Sequence, residues 1–183
     1  MAAARWIRYA YLAQFSRPKS ARQLFRMIKQ KQIGRIVEVG ISDLSRTQAM
    51  IEVAQRYAAQ SMVFHTGLDW FDARPSQCVR LSVKDAYRVL RSTDACVRLV
   101  PGSPGASLAA VANAHQNTDL ILVSSLLADE ELNAAWFYVP RMLHAKSLII
   151  RERSQASGEP SFEHLTLAQV AKLASQVDAR HAA

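Results

Sequence analysis

Two acids stand at the ends of apolar runs in this 183-residue chain. Glu38 and Gly40 close the first part of Arg35-Ile-Val-Glu-Val-Gly-Ile-Ser-Asp-Leu-Ser-Arg-Thr47, and Asp69 follows Met62-Val-Phe-His-Thr-Gly-Leu68. An acid and a glycine at the carboxyl end of a buried strand is the arrangement with which open α/β sheets take nucleotide-like ligands. Gly40, without a Cβ, lets a ligand or a neighbouring backbone come close. The same residues also serve an ordinary strand-to-helix turn, and Asp69 an ordinary acidic turn. Other reactive types offer less. His65 has no His, Asp or Glu at metal spacing, so it reads as a packed strand residue and no metal is expected. Cys78 and Cys96 form no disulfide framework or metal motif, and Cys96, opening an apolar run, reads as a core residue.

The elements that must position Glu38 and Asp69 follow from the pattern of apolar residues. Five apolar runs read as strands: 36–39, 62–66, 96–100, 119–123 and 147–150. Helical segments separate them. Ser20 caps a helix to about Gln32, ended by Gly34, and a second helix runs from about Ser45 to Gln60 with Met50, Val53, Ala54 and Tyr57 on one face. Ser82 opens a third, with Asp85 in a capping box. A helix rich in small residues starts near Ser107, another carries Trp136, Phe137 and Tyr138 up to Pro140, and Thr166 caps the last. Strands alternating with helices predict an open, doubly wound, mostly parallel α/β sheet with helices on both faces. Right-handed crossovers give the order 3-2-1-4-5. Nothing after residue 151 reads as a further strand, which leaves the fifth as an exposed edge.

Glu38-x-Gly40 together with Gly67-Leu-Asp69 resembles the cofactor motifs of class I S-adenosylmethionine-dependent methyltransferases, over roughly residues 33–151. The first motif of that family is Glu/Asp-x-Gly-x-Gly-x-Gly; here Ser42 and then Leu44 or Ser45 replace the later glycines. The resemblance implies S-adenosylmethionine as cofactor, with Glu38 and Gly40 beside it and Asp69 accepting hydrogen bonds from two ribose hydroxyls. It also implies that Gly102 and Ser103, in the loop after the third strand, touch the adenine. Metal-dependent members place an aspartate after the fourth strand, where this chain has Ser124-Ser125.

The charge is lopsided. Of 23 basic residues, nine precede Glu38 with no acid among them, so the whole net charge of +8 sits in the amino-terminal fifth. That block attracts phosphates, as in nucleic acid, through residues 5–35, or else is a solvated helix face. The domain reading is a basic helical extension over 1–32 and a methyltransferase-type domain over 33–183. No apolar run reaches the roughly 20 residues of a membrane span, so no membrane partner is expected and the cytoplasm is the default location. The open fifth strand and the apolar residues of the amino-terminal segment predict a homodimer. Two functions remain open: a methyltransferase-like protein that binds S-adenosylmethionine and is catalytically degenerate or active, and a non-catalytic module with a nucleic-acid or protein partner. An NAD enzyme is disfavoured because Gly-x-Gly-x-x-Gly is absent.

Overall fold

The computed structural model describes residues 19–154 and 160–181, with the side chains of 19, 20 and 177–181 left aside. Its sheet has six strands in the order β3-β2-β1-β4-β5-β6. They are β1 Arg35–Val39, β2 Phe64–Asp69, β3 Cys96–Pro101, β4 Thr118–Val123, β5 Leu143–Ser154 and β6 Pro160–Leu165. The first five run parallel and β6 pairs antiparallel with β5. This is the doubly wound sheet expected from the alternating pattern, extended by one strand.

The extra strand corrects one expectation. β5 is not an edge: it continues past Ile150 and turns back into β6, so that Ile149 faces Leu165 and Glu152 faces Phe162. The residues Arg151, Glu152 and Arg153 hid this, because an unbroken charged run followed by Ser154 gives no apolar alternation and reads as loop. With its edge covered by β6, β5 gives no reason for a dimer. The apolar amino-terminal segment, from which a dimer was also expected, lies outside the described residues.

The helices are α1 Lys19–Lys31, α2 Leu44–Tyr57, α3 Val83–Arg91, α4 Pro104–Val111, α5 Asp129–Trp136 and α6 Leu167–His181. Side chains alternate across each strand, and the two faces carry separate cores. Val37, Val39, Ile121, Val123 and Ile149 pack with α4, α5 and α6 through Leu108, Leu132, Trp136 and Val170. Ile36, Leu120, Leu122 and Ile150 pack with α1, α2 and α3 through Phe25, Ile28, Met50, Ile51 and Leu90. The basic helix α1 thus buries one stripe in the same core as α2 and keeps Arg26, Lys29 and Lys31 exposed. Trp136 is core, while Phe137 and Tyr138 are half-buried and meet edge to face at 5.2 Å.

Caps set the helix starts. Asp43 accepts from the Ser45 amide at 2.9 Å, and Ser82 accepts from the Asp85 amide at 3.0 Å while donating to its carboxylate at 2.7 Å. Thr166 and Gln169 form a reciprocal pair at the start of α6. Each satisfies amides that a helix start leaves without partners. Cys96 is exposed rather than in the core, since β3 is an edge strand whose alternate residues face out.

Candidate functional site

The carboxyl ends of β1, β2 and β3 bring Glu38, Gly40, Asp69, Gly102 and Ser103 to one edge of the sheet. Gly102 and Ser103 follow β3, with the Gly102 amide donating to the Asp69 carbonyl at 2.9 Å. Ser103 is the residue before α4 and makes no side-chain cap. The five residues therefore share an edge, but the surroundings of the two acids are the chain's own.

Asp69 is 3% exposed, and both of its carboxylate oxygens are taken. Oδ2 accepts from the Ile41 amide at 2.8 Å and from Arg74 Nη2 at 2.6 Å. Oδ1 accepts from the Phe71 amide at 2.8 Å and from Arg74 Nε at 2.7 Å. A carboxylate has about four acceptor positions, and all are used. Arg74 is itself held by the Ile41 carbonyl at 2.6 Å and the Val79 carbonyl at 2.9 Å. Its side chain is 5% exposed, so the bidentate pair is shielded from water and from competing ions. Phe71, in the left-handed region at φ 50°, turns the chain so that Arg74 comes back over the strand end.

Glu38 points beneath α2 and is fully buried. It accepts from Thr47 Oγ1 at 2.9 and 3.1 Å and contacts His65 Nε2 at 3.2 Å. Arg46 lies between two acids, with Nη2 3.6 Å from Glu38 and Nη1 2.5 Å from Glu152 of β5. Burial works to lower the Arg46 pKa, but the charges of Glu38 and Glu152 outweigh it and the guanidinium holds its proton more tightly than usual. Ser42 donates to Glu152 at 3.0 Å and accepts from Arg46 at 2.6 Å. The turn after β1 is thus fastened by hydrogen bonds at Ile41, Ser42 and Asp43.

Gly40 is required by the fold itself. Its φ is +79°, and a Cβ there would lie 2.9 Å from Ser124 Cβ and 3.2 Å from Leu127 Cγ. The close approach that glycine permits is made by the loop after β4.

A ribose bound through Asp69, as the motif resemblance implies, needs two acceptor positions, and in this arrangement Arg74 and the two amides fill all four. As built, the Asp69 carboxylate offers a ribose no open acceptor position. Sequence reasoning placed Glu38 and Asp69 correctly at strand ends but missed Arg46, Arg74 and Glu152. Arg74 carries no periodic signal; only its position five residues beyond Asp69 and just before Pro75 marks it. No group of three or more His, Cys, Asp or Glu among the described residues is arranged to hold a metal. No helix among them is long and apolar enough to cross a membrane.

Comparison with known proteins identifies the fold. No family model matches the sequence, and no curated protein matches it. The structure is similar to cofactor-bound Rv0187 from MTB (TM-score 0.55, 18% identity), over 96% of this chain and 74% of that one. It is also similar to the O-methyltransferase TomG from Streptomyces achromogenes, involved in tomaymycin synthesis and bound to S-adenosylmethionine (TM-score 0.58, 12% identity; 96% and 76% covered). A third is the O-methyltransferase from Bacillus cereus in complex with S-adenosylhomocysteine (TM-score 0.55, 17% identity; 85% and 67% covered). The chain has the fold of class I S-adenosylmethionine-dependent methyltransferases, as the strand order and the motif remnants imply.

Proposed function

We propose that the chain is a methyltransferase-like protein that is catalytically degenerate: it keeps the fold and has given up the open cofactor cradle. The observation that carries this reading is the saturation of Asp69 by Arg74 and two backbone amides. A cofactor ribose could take its place only by breaking a buried bidentate ion pair, and removing one partner from such a pair costs about 3–5 kcal/mol. Methyl-transfer cofactor binding in solved structures of this fold supports the ancestry of the site; the filled acceptors of Asp69 support its loss here. The test is thermal denaturation with and without S-adenosylmethionine or S-adenosylhomocysteine, since any ligand that binds only the native state raises Tm. No shift at saturating ligand is expected, and a clear rise with either compound overturns the reading.

A second reading, binding of nucleic acid as a partner, is favoured by one surface. Helices α1, α2 and α3 form one layer, and their outer faces expose Arg26, Lys29, Lys31, Arg56, Lys84, Arg88 and Arg91. Tyr87 lies among them, 43% exposed, with Arg91 5.9 Å over its ring. Arg88 is paired with Asp85 in this layer at 2.5 Å, which reduces the field only locally. Such a surface attracts a polyanion, and steep loss of binding with salt is the test.

A further inference from the structure

The amino-terminal edge of the sheet, opposite the crevice of Asp69, holds a cavity of about 180 Å³ lined by Arg35, Phe64, Thr66, His115, Gln116 and Thr118 among others. Its existence follows from helix length. α4 starts at the carboxyl end of β3 and has only eight residues, Pro104–Val111, or about 12 Å at 1.5 Å per residue. Parallel strands of six residues are longer, roughly 20 Å at 3.3 Å per residue. The amino-terminal part of this face is therefore left uncovered by helix, and the segment from Ala114 to Thr118 borders it instead.

Strand register then fixes which side chains share this face of the sheet. Phe64 lies beside Arg35 and Thr66 beside Val37 in β1, while Arg98 of the edge strand lies beside Thr66. Positions two apart point to the same face, so Arg98 shares the face of Arg35, Phe64 and Thr66 and stands beside the cavity rather than in its lining. The Arg35 guanidinium sits 5.3 Å over the Phe64 ring, a cation–π contact. Arg35 and Arg98 are both exposed, and neither is paired with an acid among the described residues. The neighbouring acid, Asp119, is occupied by the amides of Gly34 and Arg35 at 2.9 and 2.8 Å and by His144 at 3.1 Å.

His115 Nε2 stands 3.4 Å from Thr66 Oγ1 at the wall of the cavity. Burial, then the charge of Arg98, then that of Arg35, push its pKa below the ordinary histidine value. The fields of both arginines thus converge on one neutral imidazole, with no acidic side chain lining the space. Thr66 and Gln116 add neutral polar groups.

We infer that this cavity binds a small oxyanion of the phosphate class between the guanidinium groups of Arg35 and Arg98. Guanidinium forks match phosphate oxygens bidentately. The volume equals about six waters at ~30 Å³ each, enough for a phosphate group with a few attached atoms and too little for a nucleotide. The cavity lies at the opposite edge from Asp69, so the inference stands whether or not the cofactor cradle is closed.

The experiment is calorimetric titration of the full chain with inorganic phosphate and with methyl phosphate, in chloride buffer near neutral pH. Saturable one-to-one binding is expected, weakened at least about tenfold by either Arg35→Gln or Arg98→Gln, the size expected for losing a charged hydrogen bond. Tighter binding of methyl phosphate assigns the site to the phosphate end of a larger molecule; tighter binding of inorganic phosphate assigns it to the free ion. Absence of saturable binding to either probe, or equal affinity in both variants and the wild type, overturns the inference. Should a variant fail to fold, the His115 ring proton signals of the wild type decide. Shifts that saturate with phosphate uphold the site, and unmoved signals overturn it.

Discussion

Arg74 grips Asp69 with two of its nitrogens, Nε at 2.7 Å and Nη2 at 2.6 Å, at the carboxyl end of β2. The pair joins three stretches of chain, because Arg74 also holds the carbonyls of Ile41 and Val79. The residue expected to recognise a ligand is held here by the chain's own groups.

Replacing Asp69 should therefore damage the fold. Asp69→Asn leaves the Arg74 guanidinium, 5% exposed, without its counter-charge. The expected loss is about 3–5 kcal/mol, as for other broken buried pairs. Urea unfolding measures it. A variant as stable as the wild type would show that the pair contributes nothing.

Arg46 is expected to matter at least as much. It is the one cation within reach of both Glu38 and Glu152 among the described residues. Arg46→Met removes it and leaves two buried carboxylates to repel each other, so a loss of about 3–5 kcal/mol is expected. Glu152→Gln should cost less, because Glu38 still faces Arg46. The reverse ranking in unfolding experiments would contradict this picture.

Much of the fold was legible in the sequence, and little of what closes the site. The five parallel strands follow from apolar runs and the helix starts from Ser82 and Thr166, because these signals are local. β6 was not legible, since Pro160–Leu165 has only Phe162 and Leu165 as large apolar residues and gains its place by pairing with β5. Arg46 and Arg74 escaped for a different reason. A long cationic side chain gives no periodic signal, and its partner depends on a turn whose path the sequence does not display. The acids at 38 and 69 were found by position alone; what they touch is a property of the folded chain.

His115 predicts a pH dependence. Its pKa in the folded chain lies below the ordinary value of about 6.5 that it has when unfolded. As pH falls through that window the unfolded state takes up the proton first, so stability declines toward acid and is fully present above about 6.5. Stability measured between about pH 7.5 and 5.5 should fall more for the wild type than for His115→Gln. Equal declines would show that His115 has no part in the acid sensitivity.

The basic layer predicts a salt effect. If nucleic acid is the partner, changing Arg26, Lys29 and Lys31 to Gln should flatten the dependence of log affinity on log salt by about 2–3, at roughly 0.9 for each duplex-DNA phosphate no longer neutralised. Filter binding across a salt series reads this directly. An unchanged slope would free α1 of any role, and absence of binding at low salt would dismiss the partner.

Arg74 and two backbone amides occupy the acceptors of Asp69, and on this the proposed loss of cofactor binding rests. Isothermal titration of the wild-type protein with S-adenosylmethionine and S-adenosylhomocysteine tests it most directly. No saturable heat is expected with either compound, and one-to-one binding at micromolar affinity would contradict the closed site.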